Sequence, residues 1–215
     1  MKGRFAGAAA VAAVVVVSVA SASGLAVSSG RLTTDEIGTC TAAAADDTYV
    51  DQSLLAEEAS FGADQTMSVR SQALANRRAF VRFDLSPCGI PAVTSVTGAE
   101  LRLVLTTAPG SSRTHALHRV TSAWAETSTW NSQPAVSASA SASTETGTTA
   151  GATVAWSSPT LVADVQSWVD GTSANHGWGI SDATESALAA ATAAYGAREH
   201  ATAESRPQLF VTYEP

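Results

Sequence analysis

The sequence predicts an all-β fold, a jelly-roll-type β-sandwich with one short helix in a connection, and three observations carry that prediction. In Ala79–Leu85 and Ala99–Leu105 every odd position is apolar, while even positions carry Arg82, Asp84, Glu100 and Arg102. That is the period of a strand with one buried face. Charged residues make up only 14% of the 215 residues, too few for long charged helices or coiled coils. Pro87, Gly89 and Pro91 then separate those two runs, and Pro109-Gly110 ends the second, so the connections are turns rather than helices. The length fits one domain plus a targeting segment.

Residues 1–22, MKGRFAGAAAVAAVVVVSVASA, carry a basic start at Lys2 and Arg4, an apolar core from Phe5 to Val19, and an Ala20-Ser21-Ala22 cleavage signal. They read as a signal peptide, which makes the protein secreted and extracellular. Extended through Val27, the same stretch is long enough for an uncleaved anchor, and only then is a membrane a partner. Residues 23–45 are small and polar and read as a spacer, with the β-domain over 46–215. Strands are expected at Thr48–Val50 and Thr66–Arg70, with Phe61-Gly62-Ala63-Asp64 turning between them, and then at the two alternating runs. Further strands are expected at 114–120, 153–156, 177–181, 192–197 and 208–213. Leu161, Val165 and Trp168 share one face at helical spacing, after Pro159-Thr160 and before Gly171, which predicts the helix at 161–169. Residues 134–152, rich in Ser, Thr and Ala, read as a mobile loop. Together the elements make a β-sandwich.

Charge excludes several functions. The formal charge is -7, and cleavage after Ala22 would remove Lys2 and Arg4 and take it to -9. Lys2 is the only lysine, so Schiff-base and P-loop lysine chemistry is absent from the mature chain. An acidic chain without a basic cluster has no footprint for phosphate backbones, which rules against nucleic acid as a partner. Cys40 and Cys88 are the only cysteines. In an oxidising compartment they are expected to form one disulfide, worth roughly 4 kcal/mol by loop-closure entropy; two free thiols are the alternative. No Cys/His spacing for zinc occurs.

Several stretches taken in order carry a resemblance. They include Asp47-Thr48-Tyr49-Val50-Asp51, Arg78 to Ser86, Val96 to Leu103, Trp124-Ala125-Glu126 with Thr129 to Pro134, Asp164 to Gly171 with Asn175 to Trp178, and Arg198-Glu199 with Arg206 to Tyr213. Over residues 46–213 the chain resembles the DNRLRE-type jelly-roll domains of bacterial secreted and surface proteins, grouped with the family-96 carbohydrate-binding modules. The resemblance implies a non-catalytic module that binds carbohydrate, including acidic polysaccharide, or contacts the cell envelope. The second function it leaves open is a structural or adhesive surface module with a protein partner.

Carbohydrate modules stack sugars on aromatic rings and hydrogen-bond their hydroxyls or pair with uronate carboxylates. Of the five tryptophans, Trp168 is expected in the core and Trp130, with Trp124, is a candidate platform. Arg82 and Arg102 are the candidate carboxylate forks, joined by Arg198 beside Glu199. If the two alternating strands pair, Arg82, Asp84, Glu100 and Arg102 form a ladder of opposite charges on one sheet face. Asp46, Asp47, Asp51, Glu57 and Glu58 read as a solvated acidic stretch. Structural calcium there has no motif behind it, so neither metal nor cofactor is expected. No GxSxG, HExxH, GxGxxG or Walker motif is present. The nearest catalytic arrangement is a polysaccharide lyase using Tyr195, Arg198 and His200, and strand alternation puts Tyr195 and Arg198 on opposite faces.

Overall fold

The computed structural model describes residues 37–92 and 94–214, so the leader expected at 1–22 lies outside the described residues. Along the chain the elements are β1 (Gly38–Asp51), β2 (Thr66–Ser71), β3 (Arg77–Phe83), β4 (Ser95–Thr107), β5 (Thr114–Arg119), β6 (Ala142–Glu145), β7 (Thr153–Ser157), α1 (Pro159–Val169), β8 (Trp178–Asp182), β9 (Ala191–Gly196) and β10 (Gln208–Glu214). All strand pairings are antiparallel. The result is a β-rich fold with a closed sheet: β1, β10, β4, β9, β2 and β3 pair in that order, and β3 pairs back onto β1. β8, β5 and β6 extend the sheet from β3, and β7 pairs with β4.

Two long strands make the closure possible. The first half of β1 pairs with β10 and the second half with β3, the register shifting between Ala44 and Asp46. β4 serves β10 and β7 along most of its length and β9 at its end, with a shift between Leu105 and Thr107. Irregularities of this kind bend a strand sharply, so one strand can serve two sheet regions. β1 therefore begins at Gly38, inside the segment read as spacer. Small polar residues gave that half no strand signal; its pairing with β10 and the Cys40–Cys88 disulfide hold it in place.

The alternation of β3 and β4 holds on the inner face, where Ala79, Val81 and Phe83 and then Ala99, Leu101, Leu103 and Leu105 are buried. The expected charge ladder does not form, because β3 and β4 do not pair with one another. Helix α1 covers the core with Leu161, Val165 and Trp168, as the spacing predicted, and Ser158 caps it by accepting the Leu161 N–H. Gly177 sits at φ 73° where a Cβ would lie 2.0 Å from the Val81 carbonyl, so only glycine opens β8 at this point.

Residues 134–152 are not a mobile loop throughout. They contain β6, paired with β5, and Val136 bridges to Val120. Ser141, Ala142 and Thr146 are buried. Serine hydroxyls take the role that apolar side chains play elsewhere: Ser141 donates to Asp164 at 2.5 Å, and Ser158 donates to the Ser141 carbonyl. A composition-based reading has no means of detecting such pairing.

Candidate glycan groove

Val50, Phe80 and Val120 form a second, small apolar cluster on the outer face of β1 and β3, separate from the main core. Trp124 and Trp130 pack on it from the connection between β5 and β6. Trp124 is fixed by donating its Nε1–H to the His176 carbonyl at 2.8 Å. Farther along the same connection, Gln133 to Ala138 run beside the end of β5, with the Ser137 N–H donating to the Arg119 carbonyl at 2.8 Å. A groove of about 420 Å³ opens there, with Phe80, Gly179, Ser181 and His118 on the sheet side, Val136 on the loop side and Arg78 at one end. That volume lies within the ~300–1,000 Å³ of small-ligand sites.

The groove is rigid because its sides are hydrogen-bonded. Arg78 makes a two-pronged pair with Glu185 at 2.8 and 2.7 Å, donates to Gln133 at 3.0 Å and stacks on Trp130, 4.9 Å from the ring centre. The Glu185 hydrogen bonds hold the Arg78 guanidinium above its ordinary pKa. Gln133 in turn donates to the Trp130 carbonyl at 2.8 Å. His118 is oriented by a 2.9 Å contact between its Nδ1 and the Ser137 carbonyl.

The sequence candidates fall in separate places. Trp130 is half-buried beneath Arg78 and helps build one end of the groove. Arg82 shares the outer face of β3 but pairs with Asp46, its register partner on β1. Arg102 lies on β4, paired with Glu100 and stacked 4.0 Å over the Phe210 ring. Arg198 donates to Glu126 and Glu199 at 2.8 and 2.7 Å, while its backbone N–H reaches Asp47 at 2.6 Å. Trp156, Trp168 and Trp178 are core residues. Arg78, His118, Gln133 and Ser181 were missed. Two signals pointed to them: Arg78 shares the even face of Arg82, and Gly179 interrupts a strand, the usual mark of a close approach.

The acidic stretch is not a solvated loop. Asp47 and Asp51 are both 1% exposed on β1; Asp47 accepts the Arg198 backbone N–H, and Asp51 is held by ion pairs to Arg70 and Arg77. Burial pushes the Asp47 carboxyl up to about 7. Among the described residues no group of three or more His, Cys, Asp or Glu side chains is arranged to hold a metal ion. The lyase trio does not assemble either. Tyr195 is fully buried with its hydroxyl 2.8 Å from His115 Nδ1, and Arg198 is held by two carboxylates.

No significant match to the chain is found among curated proteins. The family model described as Carbohydrate-binding module family 96 matches residues 38–213, from the first residue of β1 to the next-to-last residue of β10. With a family of glycan-binding modules matched over the whole closed sheet, the chain belongs to carbohydrate-binding module family 96.

Proposed function

We propose that the protein is a secreted, non-catalytic module of jelly-roll sandwich type that holds a glycan in the groove between the β8–β5 face and residues 133–138. The single observation that carries this reading is the groove itself, in which a sheet floor faces the apolar Val136, with polar groups at its edges. Sugar rings present an apolar C–H face and a hydroxyl rim, which matches that lining. The family supports glycan binding, and the Cys40–Cys88 disulfide supports an extracellular setting. The two-layer sandwich is supported by the register shifts in β1 and β4, the corners at which strands change layer. Binding of this kind needs no metal or cofactor. A binding role for Arg82, Arg102 or Arg198 in acidic polysaccharide requires each to exchange a carboxylate partner for the ligand.

A glycan array probed with the full chain and with Ser181→Trp tests the reading. Saturable binding that the tryptophan abolishes, with circular dichroism unchanged, is the expected result. Binding that survives a filled groove places the site elsewhere.

One observation favours a second, adhesive function. Leu54, Leu55, Leu74 and Leu188 are 82–99% exposed. Their loops are tied together by Asn76, which bonds Gln52 at 2.7 Å and Ser186 at 3.0 Å. An array without any glycan hit, together with loss of surface adhesion on Leu55→Ser and Leu188→Ser, would favour this reading over the groove.

A further inference from the structure

The chemistry of the groove narrows the ligand further, on the premise that the groove is the glycan site. Recognition of a uronate needs a cation free to exchange water for carboxylate. Eight of the nine arginines among the described residues already have a carboxylate partner, the longest contact being 3.6 Å for Arg119 and Asp164. The ninth, Arg206, donates to the His200 carbonyl at 2.8 Å. Arg78 is the only arginine lining the groove, and its two prongs on Glu185, its bond to Gln133 and its stacking on Trp130 occupy its edges and one face. A carboxylated sugar there would meet a guanidinium whose charge Glu185 already compensates. The formal charge of -7 repels a polyanion at longer range as well.

What the groove does offer is neutral. Ser181 makes no side-chain hydrogen bond among the described residues, and His118 commits Nδ1 to Ser137 and leaves Nε2 for a ligand. Val136, 40% exposed, supplies an apolar wall. At Gly179 a Cβ would lie 3.0 Å from the Phe80 ring and 3.2 Å from a Val136 methyl, so the missing side chain lets Val136 pack down against the sheet floor. Hydroxyl-scale hydrogen bonding beside an apolar wall, without net charge, fits an uncharged pyranose. We infer that the groove selects neutral glycans and excludes uronates, with Glu185 as the residue that cancels Arg78 and sets that preference.

Matched pairs that differ only by oxidation at C6 test this directly: β-1,4-mannan against polymannuronate oligomers, and cello-oligosaccharides against polyglucuronate. With the full chain and calorimetry, the neutral member of a pair is expected to bind at least about tenfold more tightly, with little change between low and high salt. Tighter, salt-sensitive binding of the uronate member overturns the inference while leaving glycan binding intact. No binding of any oligomer, with no hit on the glycan array, overturns the groove reading and the inference with it. In Glu185→Gln the ratio of uronate to neutral affinity is expected to rise about tenfold, because the charge of Arg78 is no longer compensated. An unchanged ratio in a folded variant removes Glu185 as the selecting residue.

Discussion

Arg70 and Arg77 stand directly opposite one another where β2 meets β3, and both guanidinium groups close on the carboxylate of Asp51, at 2.9 and 2.7 Å. Like charges opposed across a strand pair repel. Asp51 converts that repulsion into a three-membered network and also accepts from the Ser53 N–H and hydroxyl at 2.9 and 2.7 Å. Asp51→Asn keeps the shape and leaves two partly buried cations facing each other. The expected loss of stability is about 3–5 kcal/mol in chemical denaturation, against under about 1 kcal/mol for Glu100→Gln on the exposed Arg102 pair. Equal costs would mean that burial does not govern these pairs.

Asp47 makes folding pH-dependent. Its folded pKa of about 7 lies above the 3.8 of an unperturbed Asp because of burial, with Glu199 and Glu126 nearby and Arg198 opposing. Below pH 4 the carboxyl is protonated in both states and carries no penalty. As pH rises from about 4 through 7 the unfolded chain ionises first, and stability is lost. The penalty at pH 8 is on the order of 4 kcal/mol. Asp47→Asn is therefore expected to be more stable than the parent at pH 8, with the advantage shrinking toward pH 4. An advantage independent of pH would assign it to something other than ionisation.

His115 acts in the opposite direction. Burial lowers it from 6.5 to about 4, despite Asp182 nearby. Its contribution is present above pH 6.5 and is lost as pH falls through 4, because only the unfolded chain gains a proton easily. His115→Gln gives up the contact to Tyr195 and is expected to be less stable at pH 7 by about 1–3 kcal/mol. The gap to the parent should narrow toward pH 4, and a constant gap would place the effect in packing alone.

The Cys40–Cys88 disulfide spans a separation of 48 residues and ties the first half of β1 to the turn after β3. Cys40→Ser with Cys88→Ser is expected to cost about 4 kcal/mol by loop-closure entropy. Hydrogen exchange should locate the weakening in Gly38–Ala43, the segment that pairs with β10. Uniform weakening across the sheet would show that this half of β1 is not a separable unit.

How much of this was legible depended on what each element buries. The inner faces of β3 and β4 and the Leu161, Val165, Trp168 stripe of α1 followed from apolar periodicity, because the main core lies on one side of each. The first half of β1 and β6 have few large apolar residues, and their pairing rests on backbone and serine hydrogen bonds that leave no period in the sequence. The same limit applied to the site. Arg82 and Arg102 stood out by alternation, but the ion-pair partner of Arg82, Asp46 on β1, became clear only with the strand order, while Arg102 pairs with Glu100 on its own strand. Gln133 and Ser181 lie far apart in sequence and meet only because the Trp124–Ala138 connection folds over β8 and β5.

Trp130 separates positioning from general stability. Its ring covers the Val50, Phe80 and Val120 cluster and carries Arg78 on its face, and its carbonyl anchors Gln133. Trp130→Ala removes the support under one end of the groove, so glycan affinity is expected to fall at least about tenfold while the main core survives. Trp130→Phe retains a ring for Arg78 and should recover most of that loss. Trp168→Phe serves as the comparison. Trp168 packs on Trp178, 4.5 Å between ring centres, in the main core, so it should lower stability without changing affinity. If both tryptophans lower affinity in proportion to stability, Trp130 has no special place at the groove, and the site lies on another face.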